Sequence, residues 1–159
     1  MDSLQDNRQS EMCFHAEVIM PLIRERLSAG QVVRNLGFQG VSMLPMLRQG
    51  KDCVELASLP ERLKKYDLPL YQRKNGQFVL HRVVEAGETY TCLGDNQFDL
   101  EPGLDHKQMI AVVTSFTRGN REIPVTAWHY RLYCRIWYHC RHIRRFCRRG
   151  KNWLRRHLK

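Results

Sequence analysis

Apolar residues change their spacing twice along this chain. Between Ser10 and Ala29 they recur three or four apart, at Phe14, Val18, Leu22, Ile23 and Leu27, which predicts an amphipathic helix stopped by Gly30. Pro21 falls inside that pattern and is expected to kink or divide the helix. From Gln31 onward the spacing gives way to short β-rich runs: "QVVRNLGF", "CVEL", "LPLYQR", "FVLHRVVE", "TYTCLG" and "MIAVVTSF". Two connections read as hairpin turns, "RKNG" at Arg73 to Gly76 and "EAGET" around Gly87. Helical spacing returns near Thr126, with Trp128, Leu132, Ile136, Cys140, Ile143, Cys147, Leu154 and Leu158 forming a stripe among arginines, and Gly150 as a candidate break. The pattern therefore predicts a mainly β fold with a short N-terminal helix and a basic amphipathic C-terminal helix. The expected segments are 1–30, 31–123 and 124–159, with residues 1–9 frayed.

Length and composition narrow the class. A chain of 159 residues suits one domain with appendages. The six cysteines form no CxxC pair, and a chain of this size needs no disulfide staples, so a reducing, cytoplasmic location is expected. The apolar run "VIMPLI" is flanked by Glu17 and Arg24 and does not read as a secretory signal, and no run approaches the roughly 20 apolar residues of a spanning helix. The net charge of +10 is concentrated: Pro124 to Lys159 holds eleven Lys or Arg and no Asp or Glu. Three readings of that tail stay open: a stripe packed on the β body, a helix lying on an anionic membrane from the cytoplasmic side, and a nucleic-acid contact. Cys134, Cys140 and Cys147 are separated by five and six residues, wider than structural zinc spacing, so packing is preferred to metal binding.

Three patterns follow one another in the β region: "GVSMLPML" (Gly40 to Leu47), "VLHRVV" (Val79 to Val84) and "LGDNQFD" (Leu93 to Asp99). A serine hydroxyl becomes nucleophilic when a base accepts its proton, a neutral imidazole suits that task, and a carboxylate can hold the imidazole tautomer. Ser42, His81 and Asp95 supply these types. If Glu85 pairs with Thr89 in the second hairpin, His81 lies opposite Leu93 and diagonal to Asp95 on one face. A one-residue slip moves Asp95 to the other face and leaves Asp99 as the alternative. Val79 and Val83 share the face of His81, an apolar wall that favours a neutral ring.

The ordered set G-x-S-M-x-P, H-R-V and G-D-N resembles the signal peptidase I superfamily of serine peptidases, related to LexA-type self-cleaving domains. The resemblance runs from about Gln31 to Gly119 and is closest to small bacterial members without a membrane anchor. It implies a signal-peptidase-like β domain in which Ser42 is the nucleophile and His81 the general base, as in the branch that uses histidine in place of lysine. Asp95 is the implied third member, with Asp99 resembling the later acidic residue of that branch. Many bacterial signal peptidases carry a hydroxyl two residues before the nucleophile; here that position is Gly40. The Ser42 N–H is the first expected oxyanion donor, and Gly40, Met43 and Pro45 are assigned to the oxyanion and substrate wall. Tyr66 stands where the family often has glycine.

The expected activity is hydrolysis of a peptide bond in a peptide or protein through a Ser42 acyl-enzyme, with no metal or organic cofactor. The alternative is an inactive module of the same fold that binds a peptide, an anionic membrane or nucleic acid through its cleft and cationic tail.

Overall fold

The computed structural model describes residues 16–147. It is mainly β, with nine strands in two antiparallel sheets and helices at both ends. Helix α1 (Ala16–Ser28) is followed by β1 (Val33–Leu36), β2 (Val54–Ala57), β3 (Pro69–Gln72), β4 (Phe78–Leu80), β5 (Arg82–Ala86), β6 (Tyr90–Leu93), β7 (Glu101–Leu104), β8 (Met109–Arg118), β9 (Arg121–Pro124) and α2 (Trp128–His139). Residues 141–147 are again helical. The larger sheet runs β1-β2-β8-β3-β4, with β9 added to the far end of β8; the smaller runs β5-β6-β7.

Both expected hairpins form. In the first, Tyr71 pairs with Val79 and Gln72 with Phe78, and Gly76 takes a φ of 88°, a conformation open to glycine. The expected single strand "FVLHRVVE" is two strands that belong to different sheets, β4 in the larger and β5 in the smaller. His81 is the residue between them. The second hairpin has a different register from the one expected: Ala86 faces Tyr90, Glu85 faces Thr91, and after a bulge Arg82 faces Leu93. The departure begins at the turn, where Glu85 meets Thr91 in place of Thr89, and the bulge, which adds a residue to β5, reverses part of it. Two short strands carry no apolar alternation and escaped the sequence pattern, β7 ("EPGL") and β9 ("REIP").

Helix α1 runs through Pro21 as one element, a correction to the expected division. Pro21 is exposed, so its ring meets solvent and not the core. Gly30, with φ 71°, ends the helix as expected. Met20, Ile23 and Leu27 are buried, while Val18 and Leu22 of the expected stripe are exposed; Phe14 and the first turns of the expected helix lie outside the described residues.

One apolar cluster unites both helices with the larger sheet, joining Met20, Ile23 and Leu27 to Leu47, Leu56, Val113 and Phe116, and to Tyr130 and Cys134 of α2. A second, around Tyr71, Val79, Val83, Tyr90 and Cys92, fills the space at the smaller sheet. Each such fully buried aliphatic side chain contributes about 1.5–3 kcal/mol.

Helix α2 packs on the β body by a face other than the apolar stripe, which sets aside the first of the three readings of the tail. Tyr130 and Cys134 are buried and Tyr133 and Trp137 half-buried, whereas Trp128, Leu132 and Ile136 point to solvent. The reason is polar: the buried Arg82 needs acceptors, and the Tyr130 hydroxyl and the Cys134 sulfur provide them at 2.8 and 2.9 Å. Leu154 and Leu158 lie outside the described residues. Tyr66 adopts φ 79°, the left-handed region that favours glycine, and its ring meets Tyr138 edge-on at 6.3 Å.

Candidate active site

Ser42 rides on the loop between β1 and β2. Gly40 enters it with φ 100° and donates its N–H to Gln49 Oε1 at 2.8 Å. Beyond Ser42, the Leu44 N–H bonds the Val41 carbonyl and the Leu47 N–H the Met43 carbonyl, while Met43, Met46 and Leu47 anchor the turn in the core. Arg118 fixes the far side, donating to the carbonyls of Pro45 at 2.7 Å and Met46 at 2.6 Å. Among the described residues the Ser42 N–H meets no acceptor and is available as a donor. Ser42 lines a cleft of about 450 Å³ together with Gly40, Met43, His81 and Asn96. Pro45 is exposed and does not line this cleft, unlike its expected place on the substrate wall.

His81 reaches the same cleft from the crossing between the sheets. Its Nδ1 is 3.2 Å from the Tyr71 hydroxyl, and that hydroxyl donates to Glu101 Oε2 at 2.7 Å. The phenol has one proton, and since Tyr71 donates it to the Glu101 carboxylate, the Nδ1–H must be the donor to the Tyr71 oxygen. The lone pair is then on Nε2, the tautomer a general base requires. Glu101 is gripped in turn by Arg73 through two bonds of 2.7 Å. Burial acts first on each group. It lowers the His81 pKa to about 4, against the upward pull of Glu101, and raises the Tyr71 hydroxyl well above its ordinary value. Burial alone would raise Glu101, but the bonds from Arg73 and Tyr71 outweigh it and hold the carboxyl below its usual range. The ring is therefore neutral and the carboxylate ionised at neutral pH.

Asp95 is not beside the imidazole as an orienting partner. Arg82 takes both of its oxygens, Nε to Oδ1 at 2.9 Å and Nη2 to Oδ2 at 2.8 Å, and the Tyr133 hydroxyl adds a bond of 3.2 Å. The register change explains this: Arg82, not His81, stands opposite Leu93. The fallback, Asp99, is exposed and makes no bond to His81 among the described residues. The "GDN" turn has a different task. The Asn96 N–H donates to the Ser42 carbonyl at 2.7 Å and the Asn96 side chain to the Val41 carbonyl at 3.0 Å. Gly94 permits this approach, since a Cβ there would sit 2.8 Å from the Ser42 carbonyl oxygen and 3.0 Å from His81 Nε2. Outside the turn, Trp137 Nε1 and Arg144 Nη1 donate to the Asp95 carbonyl at 2.7 and 2.9 Å.

No hydrogen bond joins the Ser42 hydroxyl to the His81 ring; such bonds are commonly long in substrate-free enzymes. No family model, curated protein or solved structure matches the chain. The functional reading therefore rests on these side chains.

Two members of this site, Tyr71 and Glu101, were missed from the sequence. The first left a signal: the "RKNG" hairpin pairs Tyr71 with Val79, which puts Tyr71 diagonal to His81. The second left none, because Glu101 is in a strand without apolar alternation and its partner Arg73 comes from a distant turn.

Proposed function

We propose that the chain is a serine endopeptidase of signal-peptidase-like type, with Ser42 as nucleophile and His81 as general base. The observation that carries the reading is the Glu101–Tyr71–His81 chain of hydrogen bonds, which leaves an unprotonated Nε2 in the cleft that Ser42 lines. Ser42 Oγ attacks the scissile carbonyl while Nε2 takes its proton. The imidazolium so formed is stabilised through Nδ1–H by Tyr71 and the Glu101 charge 3.7 Å away. The Ser42 N–H meets the developing oxyanion. Collapse breaks the C–N bond, His81 returns the proton to the departing amine, and water activated by the same nitrogen releases the acyl group.

An apolar cavity of about 430 Å³ adjoins the cleft, sharing Phe38, Gly40, Phe78 and Leu80 with it. It suits an apolar side chain of an extended peptide or protein substrate. The fold of the signal-peptidase and LexA-type domains and a cytoplasmic location, peripheral to the membrane, belong to the same reading. Among the described residues no helix is long and apolar enough to cross a membrane.

The missing Ser42–His81 hydrogen bond favours a second reading, a non-catalytic module that binds peptide in the same cleft. Intact-mass analysis after a fluorophosphonate probe separates the two. One adduct on Ser42, absent from Ser42→Ala and His81→Ala, is the expected result. A folded chain that takes no adduct from this or a smaller acylating probe would instead support the binding module.

A further inference from the structure

Helix α2 presents two unlike faces. The inner one, built on Tyr130, Cys134 and Trp137, is committed to the protein. On the outer one Trp128 is 75%, Leu132 48% and Ile136 54% exposed, stacked one turn apart. Arg131 and Arg135 stand beside them, exposed and outside any ion pair among the described residues. The helical residues that follow add Ile143 at 64% and Phe146 at 79% exposure, with Arg145 exposed between them. No acidic residue occurs from Pro124 to Lys159, where eleven are basic.

We propose that this outer face is a docking surface for an anionic lipid bilayer. Aliphatic and aromatic side chains gain by leaving water for the acyl boundary, while flanking guanidinium groups remain at the phosphate level. A second copy of the chain does not satisfy the face, because pairing would bring two wholly cationic surfaces together. Nucleic-acid phosphates would satisfy the arginines but leave Leu132, Ile136 and Ile143 in water. An anionic membrane answers both halves. The proposal uses no residue of the Ser42 cleft and stands whether or not the cleft is catalytic.

The test is co-sedimentation of the full chain with vesicles of phosphatidylcholine, with and without phosphatidylglycerol. Binding is expected only with the anionic lipid and is expected to weaken as salt rises. Arg131→Gln with Arg135→Gln should lower the partition coefficient about thirtyfold, roughly fivefold for each basic residue removed from the surface. Leu132→Gln with Ile136→Gln should abolish binding; both positions are exposed, and an unchanged melting curve verifies the fold. Failure to sediment with anionic vesicles overturns the proposal. So does undiminished binding by the Leu132/Ile136 variant, which would mean electrostatic adhesion alone. An RNA oligonucleotide that displaces the protein from vesicles, and binds that variant as well as the parent chain, would assign the face to nucleic acid instead.

Discussion

Arg82 holds Asp95 through two parallel hydrogen bonds in the core, and both side chains are about 3% exposed. A carboxylate so occupied is a structural partner of the "GDN" turn. Removing one member of a buried ion pair leaves the other charge uncompensated, a loss of about 3–5 kcal/mol. Asp95→Ala is therefore expected to lower the midpoint of chemical denaturation by a corresponding amount. If Asp95→Ala instead kept the parent stability and lost only Ser42 acylation, Asp95 would be the orienting residue after all.

Tyr71→Phe removes the acceptor that fixes the Nδ1–H tautomer of His81. The rate of Ser42 acylation is expected to fall about 10²-fold or more, within the range of general-base contributions. Glu101→Ala should act in the same direction. Asp99→Ala, at an exposed site, should change stability by no more than about 0.5 kcal/mol and leave acylation unchanged. A large loss at Asp99 with none at Tyr71 would reverse these assignments.

The pH profile has a definite sign. Burial depresses the His81 pKa to about 4, so the ring becomes protonated, and useless as a base, only as the pH falls to that level. Glu101, held below its usual range by the bonds from Arg73 and Tyr71, loses its charge at lower pH than an ordinary glutamate would. Acylation should be level from neutral pH down to about 5 and half-maximal near 4, whereas an unperturbed histidine would give half-maximal rate near 6.5. Titration of the rate across this window distinguishes the two.

Gly94→Ala introduces a methyl group 2.8 Å from the Ser42 carbonyl oxygen. Neither the backbone carbonyl nor the His81 ring can swing away freely, so the two loops must separate. A stability loss of about 1–3 kcal/mol and slower acylation are expected, measured by denaturation and by probe labelling. Full retention of both would mean that the two loops tolerate separation.

The elements that the sequence announced were those with a strong local signal. Short β-rich runs between turn residues marked β2, β3 and β8, and "RKNG" marked a turn whose geometry needs glycine. Ser42 and His81 were named from motif order and do line one cleft. His81 is not opposite Leu93 because the turn pairs Glu85 with Thr91 where the spacing suggested Thr89, and the bulge in β5 recovers only one of those two residues, which leaves Arg82 facing Leu93. Of the readings left open for the tail, packing through the apolar stripe is not the one adopted: counting aliphatic residues selects Leu132 and Ile136, while the buried Arg82 selects Tyr130 and Cys134.

The bonds that latch the "GDN" turn from outside come from Trp137 and Arg144, far along the chain from Ser42. Protein synthesis runs from the N-terminus, so a growing chain holds its serine, its histidine and every strand of both sheets before it holds that latch. The turn that grips the Ser42 carbonyl is secured only once synthesis has passed Arg144. A nascent chain that has folded its β body therefore still carries an unfastened site.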